Sequence, residues 1–112
     1  MQDARFDKLA SVLVDYSTAL KRNEKVLIEC FDAPDEMTIA LIRASRKAKA
    51  IPFVQILRAQ VTHELALALD PRALDFTAAH ALARREKMTA YISIRGGTNL
   101  TPPADLAMPQ ML

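Results

Sequence analysis

The sequence predicts an α/β domain in which a small parallel sheet is covered by helices, and three observations lead to this class. Residues 25–31 contain a near-continuous apolar run, typical of a strand that is buried on both faces. A helical pattern starts directly after this run, as in the first half of a βαβ unit. Two more short β-rich segments follow at residues 53–57 and 90–94, each after a helical pattern.

An amphipathic helix of about four turns precedes the first strand. Acidic side chains stand near its start and Lys21 and Arg22 near its end, as the helix dipole favours. Its core-facing residues, at helical spacing, are predicted to be Phe6, Leu9, Ala10, Leu13, Tyr16, Ser17 and Leu20.

The second helix is predicted to begin at Pro34, with Asp32 or Ala33 as the N-cap residue. Basic residues fill its last turns, and a solvated helix face explains them better than a phosphate site. The second strand follows at residues 53–57, with Pro52 just before it. One face of the second helix is apolar and consists of Met37, Ala40, Leu41, Ala44 and Ala48.

Two helices connect the second strand to the third. The first is predicted over 59–69, with Val61, Leu65 and either Ala68 or Leu69 facing inward. Asp70 then serves as an N-cap and Pro71 opens a helix that runs to about residue 88. The predicted inward stripe of this last helix is Leu74, Ala78, Ala81, Leu82 and Arg85. The third strand covers residues 90–94.

Right-handed crossovers arrange these elements as a three-stranded parallel sheet of order 2-1-3, which is flavodoxin- or Rossmann-like. A crevice then opens where the first and third strands end, and the only two glycines of the chain lie there. A structural turn is one interpretation of this segment, and a ligand or domain contact is the other. The candidate contact residues are Asp32, Arg95, Gly96, Gly97 and Asn99.

No residue set predicts catalysis, cofactor binding or metal binding. His63 is followed by Glu64 but has no second histidine at i+4, so the zinc motif of metalloproteases is absent and both His63 and His80 are predicted to be structural. Cys30, the single cysteine, is predicted to be a small buried hydrophobic residue. Helix capping explains Asp32 and Asp35 better than a catalytic dyad does.

Composition limits the remaining possibilities. The 112 residues predict a single domain over 1–112. The net charge of +2 and the absence of tryptophan speak against a nucleic-acid partner or a charged membrane surface. No signal peptide or membrane-spanning stretch is recognisable, so we expect a cytoplasmic protein.

Three segments resemble the N-terminal domain of the thermophilic metallo-aminopeptidases, the aminopeptidase T and aminopeptidase S type of leucyl aminopeptidase. Residues 9–17 are similar to the opening helix of that family, and residues 25–29 are similar to its first strand. Residues 90–96, with Asn99 three positions further on, are similar to its third strand and the arginine–glycine turn that follows.

The resemblance implies a non-catalytic front domain that helps enclose the substrate chamber of a homo-oligomeric, peptide-cleaving enzyme. Two divalent metals, zinc or cobalt, would be held by a C-terminal catalytic domain beyond residue 112, so this chain is expected to contain no cofactor and to be inactive alone. Two alternatives stay open: a stand-alone flavodoxin-like module that binds an anionic small ligand at the crevice, and a structural interaction domain without a ligand.

Overall fold

The computed structural model describes residues 4–96, and its centre is a parallel three-stranded sheet of order β2-β1-β3. Both the α/β class and the predicted strand order are therefore confirmed. Gly97 and Asn99 lie outside the described residues. The elements are α1 (Ala4–Val12), a π-helical turn (Leu13–Ser17), β1 (Lys25–Phe31), α2 (Asp35–Lys47), β2 (Ile51–Leu57), α3 (Ala59–Ala68), α4 (Pro71–Glu86) and β3 (Ala90–Arg95).

The central strand β1 carries the middle of the hydrophobic core. In the register of the sheet, Ile28 lies between Val54 of β2 and Ile92 of β3. Because side chains alternate along a strand, Val26, Ile28 and Cys30 point to one face, where all three are buried. Helices α1 and α2 cover this face, which explains why the apolar run of β1 is the strongest signal in the sequence.

Helix α2 packs onto that face through the residues that the helical pattern predicts, since Met37, Ala40 and Leu41 are all buried. Its start differs from the prediction. The helix begins at Asp35, and Pro34 occupies the N-cap position. Asp32 is therefore not the cap of α2, because its backbone lies in the left-handed region (φ 55°) and its carboxylate is directed to another helix.

The first helix does not continue regularly to Leu20. After Val12 the chain forms a π-helical turn, in which the Thr18 amide donates to the carbonyl of Leu13, five residues earlier, at 3.0 Å. The wider turn changes the helical phase, so Tyr16 is 78% exposed, Ser17 is exposed as well, and their predicted places in the core are wrong. Leu20 is nevertheless buried, as predicted.

Helix α4 lies over the opposite face of the sheet, as a right-handed connection from β2 past β1 to β3 requires. The predicted cap of α4 is confirmed, because the Asp70 carboxylate accepts a hydrogen bond from the Ala73 amide at 2.9 Å. Neither α3 nor α4 contains a buried residue, and the predicted inward positions of Val61, Leu65 and Leu82 are wrong because all three are largely exposed. Ala81 and Arg85 of the predicted α4 stripe do face the sheet, across a cavity.

Two smaller differences concern the strands and do not alter the topology. Strand β2 begins at Ile51, so Pro52 lies inside it; β2 is an edge strand, where a proline removes no hydrogen bond that the sheet needs. Strand β3 extends one residue further than predicted, to Arg95. Over residues 4–96, no helix has the length and apolar character needed to cross a bilayer.

Candidate functional site

The ends of the three strands meet at the carboxyl edge of the sheet, where the sequence predicts a contact site. The Asp32 amide donates to the carbonyl of Leu57 at 3.0 Å, which joins the end of β1 to the end of β2. The Gly96 amide donates to the carbonyl of Phe31 at 2.8 Å, which joins the end of β3 to the same strand. Hydrogen bonding therefore continues past the strands into the residues that follow them.

Asp32 directs its carboxylate to the start of α3. Its two carboxylate oxygens lie 3.4 and 3.3 Å from the backbone nitrogen of Ala59, the first residue of α3, which donates to them. The amino end of a helix carries a partial positive charge and is where an anionic ligand would bind. Because a carboxylate of the chain already occupies this position, the geometry disfavours the alternative of a phosphate- or carboxylate-binding module at this end of α3.

Gly96 contacts the backbone of the Asp32 turn so closely that no side chain fits. A Cβ atom built on Gly96 would lie 2.6 Å from the carbonyl oxygen of Asp32 and 3.0 Å from the Cα atom of Ala33. Both neighbours are backbone atoms and have little freedom to move aside. Glycine is therefore required here for close packing of two turns, which matches the structural interpretation of the segment.

Arg95 is exposed and lies against the same edge. Its guanidinium carbon is 4.5 Å from the centroid of the Phe31 ring, a distance typical of a cation–π contact. The structure thus brings Asp32 and Gly96 into direct contact and places Arg95 beside the last residue of β1. Among the described candidate residues, Asp32 is engaged by the backbone of Ala59 and Gly96 has no side chain. Of these described residues, only Arg95 therefore has an exposed functional group that makes no hydrogen bond to the backbone.

A second polar cluster, which the sequence analysis did not identify, lies on the face of the sheet below α4. The Tyr91 hydroxyl donates a hydrogen bond to Oε1 of Glu29, and Arg85 Nη2 donates to the Tyr91 hydroxyl oxygen at 3.2 Å. The Arg85 guanidinium also stacks 4.6 Å from the centroid of the Tyr91 ring. Burial, followed by the bond to Glu29, raises the pKa of Tyr91 above its usual value.

One sequence signal was available for this cluster. Glu29 is the only charged residue inside the apolar run of β1, so a polar partner on a neighbouring strand could have been expected. The partner itself depends on strand register, because Tyr91 pairs with Leu27 and reaches Glu29 diagonally. That register is fixed by the fold and is not readable from β1 alone.

A cavity of about 190 Å³ lies between this face of the sheet and α4. The sheet contributes Glu29 and Gln55, and α4 contributes His80 and Arg84 to its wall. Among residues 4–96, Arg84 has no ion-pair partner, although its side chain is half-buried.

The cysteine and the histidines form no metal site among the residues that the structure describes, where no group of three or more potential ligands is found. Cys30 is buried, as predicted; burial raises the pKa of its thiol, and Thr38 Oγ1 lies 3.1 Å from its sulfur. His63 and His80 are both exposed, and the His80 ring stacks on Phe76 with 6.3 Å between centroids.

Large apolar side chains remain exposed on α3 and α4. We call these residues the α3/α4 apolar surface. Isolated exposed apolar residues are ordinary on a protein surface, whereas extended exposed apolar patches are typical of interaction sites. Its members and their exposed fractions are Val61 (62%), Leu65 (58%), Leu67 (69%), Leu74 (47%), Phe76 (73%) and Leu82 (58%).

No protein-family model and no curated protein sequence matches the chain. Among solved structures, wild-type AmpT from Thermus thermophilus, an aminopeptidase T, is similar to 90% of this chain with a TM-score of 0.61 and 17% sequence identity. The chain shares its fold with one part of that protein. The match covers 28% of the AmpT chain, so nearly three quarters of AmpT lies outside it. At this identity the similarity shows the fold alone.

Proposed function

We propose that this chain is the N-terminal, non-catalytic domain of a metal-dependent aminopeptidase. The observation that carries the proposal is the similarity to AmpT, which extends over nine-tenths of this chain but only 28% of the AmpT chain. This is the relation expected if a front domain corresponds to one part of a longer enzyme. The resemblance of residues 9–17, 25–29 and 90–96 to the family supports the same assignment.

In this proposal the chemistry belongs to a second domain. Two divalent metals held there would activate water for peptide hydrolysis. The residues described here do not fit such a site, since none of their His, Cys, Asp and Glu side chains group as ligands. The domain would instead pack against the catalytic domain and help wall the substrate chamber of a homo-oligomer that releases leucyl and other N-terminal residues.

The α3/α4 apolar surface is the face that we assign to the second domain. Neither helix contains a buried residue, whereas α2 on the other side of the sheet has five. Covering a leucine or phenylalanine side chain stabilises an interface by about 1.5–3 kcal/mol before the costs of association. Arg95, exposed at the carboxyl edge, is the residue we propose to face the chamber.

The first experiment measures activity. The purified 112-residue chain should not hydrolyse leucyl-p-nitroanilide in the presence of zinc or cobalt. A continuous reading frame downstream of the Leu112 codon should encode several hundred further residues with clustered histidine and glutamate, and the longer product should be active. Metal-dependent hydrolysis that stays with the chain at stoichiometric metal would contradict the proposal.

The second experiment tests the docking face. Leu65→Glu and Leu82→Glu should change the free energy of unfolding of the isolated chain by less than about 0.5 kcal/mol, because both side chains are exposed. In the longer two-domain protein the same substitutions should lower the melting temperature and the activity. Ile39→Glu on α2, which is 40% exposed, is the matched control and should behave alike in both proteins. Equal effects of all three substitutions would refute the assignment.

A further inference from the structure

The cavity between the sheet and α4 has walls of opposite charge. Glu29 lies on the central strand at the floor, and Arg84 and Arg85 lie on the helix that covers it. Glu29 and Arg84 are each half-buried, so water screens their charges less than it screens charges at the open surface. Gln55 and Thr77 also line the space and offer neutral hydrogen-bonding groups.

The hydrogen bonds of the neighbouring residues leave both charges available. Tyr91 occupies Oε1 of Glu29, and within residues 4–96 no donor is found for the other carboxylate oxygen. Arg85 is held by the Tyr91 hydroxyl and ring, whereas the adjacent Arg84 makes no ion pair in this part of the chain. A half-buried carboxylate and a half-buried guanidinium thus face one cavity without being paired to each other.

The size of the cavity limits what it can hold. A cavity of about 150 Å³ accommodates a benzene molecule, which has six non-hydrogen atoms. The cavity here is about 190 Å³, so it suits a ligand of similar or slightly larger size. A ligand with one charge would leave either the free oxygen of Glu29 or the Arg84 guanidinium without an opposite charge in the filled cavity, which is costly.

We propose that this cavity binds a small zwitterion, of the class of free α-amino acids with a short side chain. The ammonium group would bind the free oxygen of Glu29, and the carboxylate would bind the Arg84 guanidinium, which is suited to planar anions. The Cα substituent would lie against Leu27 and Ala81, the apolar part of the wall. This site is on the face below α4 and does not depend on the proposed function at the carboxyl edge.

The test follows amide NMR spectra of the isotope-labelled full chain during titration with L-alanine. Saturable shifts should appear in β1, β2 and α4 with a Kd of about 1 mM or below, within the range open to a six-atom ligand. Propionate lacks the ammonium group and isopropylamine lacks the carboxylate. Each should bind at least about tenfold more weakly, because each forgoes one charged hydrogen bond.

The variants separate the two charges. Glu29→Gln and Arg84→Gln should each weaken L-alanine binding by about tenfold or more. Arg46→Gln on α2, on the other side of the sheet, is the control and should leave it unchanged. Circular dichroism checks whether Glu29→Gln is folded. If it is unfolded, the result for Arg84→Gln decides the test. No saturable shift at tens of millimolar L-alanine, or equally tight binding of propionate, would overturn the proposal.

Discussion

Replacing Gly96 by alanine tests whether the carboxyl edge is held together by close packing. The added Cβ atom would lie 2.6 Å from the Asp32 carbonyl oxygen, and an ordinary contact begins near 3.4 Å. The end of β3 must therefore move by about 0.8 Å relative to the Asp32 turn. Both clashing neighbours belong to the backbone, so a side-chain rotation cannot relieve the contact.

Three terms set the size of the effect. Overpacking of this kind costs about 1–3 kcal/mol. The displacement also weakens the 2.8 Å hydrogen bond from the Gly96 amide to the Phe31 carbonyl, which contributes about 0.5–1.5 kcal/mol. Alanine also lowers the conformational entropy of the unfolded variant, which offsets about 0.4–1 kcal/mol of this loss of stability. The net loss is about 2 kcal/mol, which corresponds to a melting temperature about 8 °C lower for a domain of this size.

Urea denaturation and thermal melting followed by circular dichroism measure this loss. Asp75→Glu is the matched control, because it adds one methylene group at an exposed position of α4 and should have no measurable effect. A Gly96→Ala variant that melts within about 2 °C of the original chain would show that the two turns do not constrain each other, and the structural explanation of this glycine would fail.

Three further results are expected. Asp32→Ala should lower the free energy of unfolding by about 1–2 kcal/mol, because it removes the contact with α3 and places alanine in the left-handed region. Asp32→Gly should lower it by less, because glycine adopts this backbone conformation without strain. Equal losses in urea denaturation would exclude strain as a cause. Asp70→Ala should cost about 1 kcal/mol in the same assay, whereas Asp70→Ser should be nearly neutral, and no loss in either would contradict the capping bond. Burial raises the pKa values of Cys30 and Tyr91 in the folded state, so on raising the pH the unfolded chain releases these protons first and the free energy of unfolding should fall above about pH 9. Cys30→Ala should make this fall less steep between about pH 9 and 10. An unchanged slope in that variant would refute the contribution of Cys30.

The sequence predicts those parts of the fold that depend on local patterns. The apolar run of β1 indicates burial on both faces wherever the neighbours come from, and right-handed connections then leave one strand order. Asp70 followed by Pro71 marks the start of α4 because capping involves only residues three apart. The π-helical turn has no comparable signal, and with it the exposure of Tyr16 was missed.

The features that the sequence does not predict depend on contacts between segments that are distant in the sequence. Helical spacing places Leu65 and Leu82 on the apolar faces of their helices, but it does not show whether another element covers those faces. Within residues 4–96, both side chains are left largely exposed. The sequence pattern predicts Asp32 as a cap of the helix that directly follows it, although its carboxylate reaches Ala59, 27 positions away. The link between Glu29 and Tyr91 spans 62 positions and requires the sheet register.

Among residues 4–96, nearly all of the buried apolar side chains belong to the first half of the chain. Twelve of these fourteen lie between Ala10 and Ala50, and within the same range only Ile92 and Ile94 come later. During synthesis, most of these core residues therefore leave the ribosome before β3 does. The edge of β1 that later pairs with β3 would stay unpaired during that interval. We expect pulsed hydrogen exchange during refolding to protect α2 and β2 before β3; simultaneous protection would mean that the sheet closes in one step.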